Sequence, residues 1–279
     1  MPVNKILQKV TDELQHLPFV KAVVLGGSRA TGTATGNSDI DIGIYYDGID
    51  YAALNNAAER LDDEHRSSLI CHEGEWGQWV NCGGWLIIDG VHVDLIMRDY
   101  QKVKNIVQSS ASGSFSLNYQ TGHPHAFLDI MYRGELASCR ILYTADSEFV
   151  KTKQQAEEYP PALQKALIDF FLFEAGFSCM LAEKSLSSGD VYYLAGHIFR
   201  SVSAINQVLF ALNKKWCLNE KKAVFRIDSL KTAPANYSKN INEIFIHIAA
   251  NPYLAIAALK ELCDEASNLC TSIKSKPPA

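Results

Sequence analysis

The sequence predicts an α+β protein: a domain of mixed strands and helices over residues 1–145, followed by an all-α helical bundle domain over residues 146–279. Three observations point there. In the first half, short apolar runs ended by Gly or Asp alternate with segments of helical spacing. A polar stretch, "KTKQQAEEYPP", then reads as a connecting segment. Beyond it, long segments repeat apolar residues at helical spacing. With 279 residues, 47% of them apolar and 20% charged, the chain has room for two domains and can bury a core.

The elements follow in order. Ile6, Leu7, Val10, Leu14 and Leu17 keep helical spacing up to Pro18. "KAVVLGG" is a short buried strand ended by glycine, and Thr31 to Asn37 is a loop, or a short helix followed by a loop. "DIDIGIYYD" alternates: Ile40, Ile42 and Ile44 share one face, and Asp39, Asp41, Gly43 and Tyr45 share the other. "YAALNNAAERLDDEH" reads as a helix, and "WLIIDGVHVDLIMRD" as a hairpin turning at Asp89-Gly90. Residues Ser109 to Pro124 carry no clear periodicity. In the C-terminal half, a helix starts on Pro161 with apolar residues nearly all round, which predicts burial. A second opens with Asp190 as N-cap, and "KNINEIFIHIAA" and "PYLAIAALKELCDEASNLCTSI" add two more. Their broad apolar faces leave a homodimer open.

Charge and composition exclude some functions. A net charge of −5 argues against a nucleic-acid partner, which needs a basic surface. No apolar run is long enough to span a membrane, and the first residues lack a signal-peptide core. The seven cysteines are scattered, with no CxxC pair, and read as free thiols of a cytoplasmic protein.

The chemistry concentrates in "VVLGGSRATGTATGNSDIDIGIYYD". Residues two apart on a strand face the same way, so Asp39 and Asp41 aim together, about 5–7 Å apart. Two such carboxylates repel unless a cation sits between them, and Mg²⁺ takes oxygen ligands from carboxylates and phosphates. A third acid would complete a two-metal arrangement. Asp94, in the strand-like "VHVDLIM", is the best candidate, provided its strand lies beside that of Asp41; Glu73 and Glu75 are alternatives. Gly26 and Gly27 let the backbone approach a phosphate, Ser28 offers a hydroxyl and an N–H, and Arg29 is equally a phosphate ligand or a surface ion pair. Neither a Walker A loop nor GxGxxG occurs.

An apolar strand, Gly-Ser, about ten residues and then Asp-x-Asp within another strand resembles the signature of the nucleotidyltransferase superfamily, the DNA polymerase beta-like group. "HVDLI" matches that superfamily's third carboxylate, and the resemblance covers Lys21 to Asp99. A catalytic domain followed by a helical bundle is also similar in layout to the antibiotic nucleotidyltransferases of aminoglycosides and lincosamides. The resemblance implies a small mixed β-sheet with helices for the first domain, and transfer of a nucleoside monophosphate from a triphosphate, ATP first among them, to a hydroxyl of a small molecule, with release of pyrophosphate. It implies two Mg²⁺ ions on Asp39, Asp41 and Asp94, with Asp94 as third ligand or base. Gly27, Ser28 and Arg29 would bind the triphosphate, and the helical domain would bind the acceptor. The rivals are transfer to a protein or tRNA, and a catalytically silent nucleotide-binding toxin–antitoxin module. Arg200 has no histidine at the Arg-x4–6-His spacing of helical ribonuclease toxins.

Other residues read both ways. "EGEWGQW" places Trp76 and Trp79 either on a pocket rim, where a ring stacks on a base or sugar, or in a plug under a loop. His123 and His125 read as loop histidines, and His92 as a strand histidine on the face of Asp94. His197 and Arg200 are neighbours on one helix, and Lys214, Lys215, Lys221 and Lys222 form a solvated charge run.

Overall fold

The computed structural model describes residues 2–36 and 38–274, so Met1, Asn37 and residues 275–279 of the segments read above lie outside the described residues. Helix α1 (Pro2–Leu14) leads into strand β1 (Val20–Leu25), the one-turn helix α2 (Gly27–Ala30), β2 (Ile40–Tyr46) and α3 (Tyr51–Leu61). Strands β3 (Cys82–Ile88) and β4 (Val91–Asp99) form the expected hairpin. Asp89 and Gly90 both take positive φ, 50° and 73°, which is the twist a two-residue hairpin turn needs.

The main sheet has the order β3-β4-β2-β1-β7, with β7 at Arg140–Thr144. Strands β2 and β4 are parallel and the other pairs antiparallel, so the sheet is mixed. Alternation divides its two faces. Ile40, Ile42 and Ile44 sit in register with Val93, Leu95 and Met97, all with no exposed surface, and α1 and α3 cover them through Ile6, Val10, Leu14, Leu54 and Ala57. This burial is what holds β2 in a single register, because a slip of one residue would turn the isoleucines outward and the aspartates inward.

Several elements of this part carry no strong sequence signal. Helix α4 (Tyr100–Ser110) buries Val103, Ile106 and Val107, and Asp99 caps it by accepting from the N–H groups of Gln101 and Lys102. The stretch without periodicity contains β5 (Leu117–Asn118), which pairs with β6 (Phe127–Leu128) just beyond it. Helices α5 (Met131–Ser138) and α6 (Ser147–Glu157) flank β7. The buried Arg133 of α5 donates to the carbonyls of Val107 and Glu158, at 2.8 and 2.9 Å, and so ties the ends of α4 and α6 together. Arg98 of β4 and Glu135 of α5 form a bidentate pair at 2.8 and 3.0 Å.

The chain divides into two compact units. The first comprises the residues up to Ser110, Phe115–Gly122 and Ala126–Glu158, so α6 counts with the sheet. The second holds Ala111–Ser114, His123–His125 and everything from Tyr159 on. It is helical: α7 (Pro161–Ser185), a 3-10 turn, α8 (Val191–Leu212), the short α9 (Ala223–Ile227), α10 (Tyr237–Ala250) and α11 (Pro252–Lys274). Asp190 caps α8 as expected, accepting from the Tyr193 N–H. The C-terminal half of α8 is buried from Ser201 to Leu212, which makes it the centre of the bundle.

One expectation fails here. Helix α7 is not buried all round: it packs through Leu163, Leu167, Phe171, Ala175 and Cys179, while Phe170, Phe173 and Phe177 stay exposed, Phe173 at 72%. Two of these rings, Phe173 and Phe177, stack on each other instead.

Candidate active site

The sheet brings the candidate residues together on the face opposite Ile40, Ile42 and Ile44. Strand β1 ends at Leu25, and the Gly26 N–H donates to the Asp41 carbonyl at 2.8 Å, which pins the turn against β2. Gly27 follows with φ +56°. The Asp41 carboxylate lies directly over it: a β-carbon on Gly27 would stand 1.8 Å from Asp41 Oδ2. Only glycine permits both the positive φ and this approach. Ser28 is the next residue of α2, and its carbonyl accepts from the Thr33 N–H at 2.9 Å.

Arg29 does something that neither of its two sequence readings foresaw. Its Nε donates to the Asp39 carbonyl at 3.0 Å and its Nη2 to the Ser38 carbonyl. The guanidinium therefore clamps the backbone that carries Asp39, which is itself exposed at the mouth of β2.

The condition set for Asp94 is met. Strand β4 runs parallel to β2 with Asp94 directly beside Asp41, and residues side by side in a parallel pair share a face. Asp94 is half-buried, and its carboxyl is pushed up to about 6. Burial is the first cause; the Asp41 and Asp39 carboxylates add to it, and His92 opposes them. Glu73 and Glu75 are not among the charges that act on Asp94. Glu73 instead accepts from the Tyr46 hydroxyl, which also takes a hydrogen bond from Asn81 at 2.7 Å, and Glu75 is exposed.

Three carboxylates that repel one another fit a hard divalent cation, which prefers oxygen ligands and relieves such repulsion. Among the described residues, no three His, Cys, Asp or Glu side chains are drawn tightly around one point. The donor chemistry suits a magnesium-type ion bound partly by the protein and partly by substrate phosphates.

Residues 3–112 match the family model described as a nucleotidyltransferase domain. The first unit carries a nucleotidyltransferase domain. The matched span runs from α1 through α4 and takes in Gly27, Ser28, Arg29, Asp39, Asp41 and Asp94. Among solved structures, the chain is similar to the nucleotidyltransferase-like protein from Exiguobacterium sibiricum 255-15, with 8% identity and a TM-score of 0.45 over 99% of this chain and 81% of that one. No curated protein matches the chain.

Within the nucleotidyltransferase domain the two tryptophans of "EGEWGQW" part ways. Trp79 packs on Phe127 and Tyr132, with Lys102 Nζ 4.0 Å above its ring, so it is the plug. Trp76 stacks on Trp85 of β3 at 4.6 Å between centroids and 25° between planes. Trp85 escaped the sequence reading. Counting outward from the Asp89-Gly90 turn places it opposite Asp94, and the structure has that register.

The remaining candidates lie in the second unit. His123 and the His125 backbone N–H both meet the Glu220 carboxylate at 3.1 Å, and His125 and Arg200 flank the buried Glu174. These contacts fasten the 123–125 segment to the bundle. His197 packs edge-on against Tyr193, and burial lowers its pKa. Among the described residues no helix is long and apolar enough to cross a membrane.

Proposed function

We propose that this protein transfers a nucleoside monophosphate from a nucleoside triphosphate, ATP first among them, to a hydroxyl of a small molecule. The observation that carries the reading is Asp94 in register beside Asp41, with the Asp41 carboxylate folded onto the Gly27-Ser28 turn. The turn's backbone N–H groups and the Ser28 hydroxyl hold the triphosphate tail. Asp39, Asp41 and Asp94 would hold two Mg²⁺ ions; such ions supply charge neutralisation at the phosphates and lower the pKa of a coordinated hydroxyl. Asp94, beside Asp41 on the neighbouring strand, is placed to take the acceptor's proton. As the acceptor oxygen bonds to the α-phosphorus, the bond to the bridging oxygen breaks and pyrophosphate leaves. Positioning and electrostatics account for most of the acceleration.

The acceptor class follows the order along the chain, a catalytic domain followed by a helical one, so aminoglycosides and lincosamides are the first acceptors to test. Seven free cysteines suit the reducing cytoplasm. The test is a pyrophosphate-release screen of the four nucleoside triphosphates with Mg²⁺ against these antibiotics and against protein and RNA extracts. Asp39→Asn and Asp41→Asn should reduce turnover by at least about a thousandfold with the fold intact. Near-normal turnover in either variant would refute the metal assignment.

A further inference from the structure

The Trp76–Trp85 pair stands on the same sheet face as the carboxylates and is built rather than incidental. Trp85 pairs with Asp94 across the β3–β4 hairpin and is 62% exposed, a large apolar area left in water. Trp76 reaches it from the 74–81 loop, whose backbone is tied back by the Trp76 N–H to the Asn81 carbonyl at 3.1 Å. Gly83, two residues before Trp85 and on the same face, makes the room. A β-carbon there would lie 2.7 Å from Trp76 Cζ3 and 2.1 Å from the Leu95 carbonyl. The strand thus gives up a side chain so that one indole can lie against another.

The order across the sheet assigns the platform a role. Read from β1 to β3, the face presents the Gly27-Ser28 turn, then Asp41, then Asp94, then Trp85. In an in-line displacement the leaving pyrophosphate and the attacking oxygen lie on opposite sides of the α-phosphorus. With the phosphate tail on Gly27-Ser28, the attacking hydroxyl enters on the Asp94 side, and Trp85 is the next residue out. We propose that Trp85, backed by Trp76, is the acceptor-binding platform, and that the acceptor is a hydroxylated saturated ring of the sugar or cyclitol type. The inference rests on the transferase reading above. Paired residues of a hairpin lie only about 4.5–5.5 Å apart at Cα, so one molecule must put a hydroxyl on Asp94 and a flat apolar face on Trp85 within one ring's width. Such a ring does both, with hydroxyls on its rim and C–H groups on its faces, which stack on indole.

The test compares wild type, Trp85→Ala and Trp85→Phe, using pyrophosphate release and calorimetry of Mg·ATP binding. The acceptor panel comprises methyl glycosides, cyclitols, amino-sugar antibiotics, the linear polyol sorbitol and a serine peptide. Ring acceptors should support turnover. Trp85→Ala should raise their KM by about fivefold or more and leave Mg·ATP affinity within about twofold, and Trp85→Phe should restore most of the loss. A KM for ring acceptors that Trp85→Ala leaves unchanged overturns the proposal. So does a loss of Mg·ATP affinity instead, which would put the nucleobase on the platform. Turnover with sorbitol or the peptide but with no ring overturns it while the transferase reading stands. A wild type that neither binds Mg·ATP nor releases pyrophosphate with any acceptor removes both.

Discussion

Asp41 and Gly27 compete for the same space: the Asp41 carboxylate fills the position where any side chain on residue 27 would begin. The glycine-serine turn and the Asp-x-Asp strand are therefore a single unit. Gly27→Ala should displace the carboxylate and also force an alanine into φ +56°. The strain costs about 1–2 kcal/mol. The displaced carboxylate should cost about a hundredfold in turnover, because an error of an ångström at a reacting centre has that effect. Thermal melts and kcat measured together check this. A variant that loses stability but keeps turnover would show that Asp41 can move without consequence.

Arg29 and Asp39 are linked through the backbone. The guanidinium holds the carbonyls of Ser38 and Asp39, so it sets where the Asp39 carboxylate points. Arg29→Ala should lower kcat about 10–100-fold and raise the Mg²⁺ concentration needed for half activity, with little change in melting temperature. Arg29→Lys should recover only part, since an ammonium cannot fork between two carbonyls. A rise in triphosphate KM with kcat and Mg²⁺ demand unchanged would instead make Arg29 a phosphate ligand.

Asp94 and Asp41 lie side by side, and the fold holds them there against their repulsion. The Asp94 carboxyl is raised to about 6, so its ionised form opposes folding at neutral pH. Asp94→Asn should abolish transfer and yet leave the metal-free protein as stable as wild type or more so, by up to about 1 kcal/mol after allowance for solvent screening. Melts with and without Mg²⁺ separate the effects: the ion should stabilise wild type more than the variant. A variant clearly less stable than wild type without metal would mean that the Asp94 carboxylate makes a favourable contact.

How much of this was legible in advance follows from distance along the chain. Gly27, Ser28, Asp39 and Asp41 lie within one turn and one strand start, where spacing alone sets faces. The 85–94 pairing is equally local, set by counting outward from the Asp89-Gly90 turn, but a lone tryptophan on a strand carries no signal of its own exposure. The parallel pairing of β2 with β4 is a contact between remote segments, and no local pattern encodes it, so Asp94 could only be conditional. The edge strand β7 is short and only half-buried, which leaves a weak alternation. For α7, apolar residues on every side do not say how many neighbours the helix will have. Phe171 found a core, and Phe173 did not.

Asp62 and Arg66 give the acid limb of the stability curve. Asp62, the C-cap of α3, is fully buried beneath Arg66, whose own side chain is 40% exposed. Its carboxylate accepts from Arg66 Nε and Nη2 at 2.9 and 2.6 Å and from the Ile87 N–H at 2.9 Å, joining α3 to β3. The Arg66 hydrogen bonds hold the Asp62 carboxyl well below its usual range, against the opposing effect of burial. A carboxyl depressed in the folded state contributes stability above its unfolded value, about 3.9, and loses that contribution as the pH falls toward the folded value. Asp62→Asn should therefore lower stability by about 1–2 kcal/mol at pH 7, the scale of charge-assisted hydrogen bonds partly open to solvent. The gap between wild type and variant should narrow steadily below pH 4. Urea unfolding at pH 7, 4 and 2.5 reads this directly. A gap that stays constant across that range would assign the loss to packing rather than to the charge on Asp62.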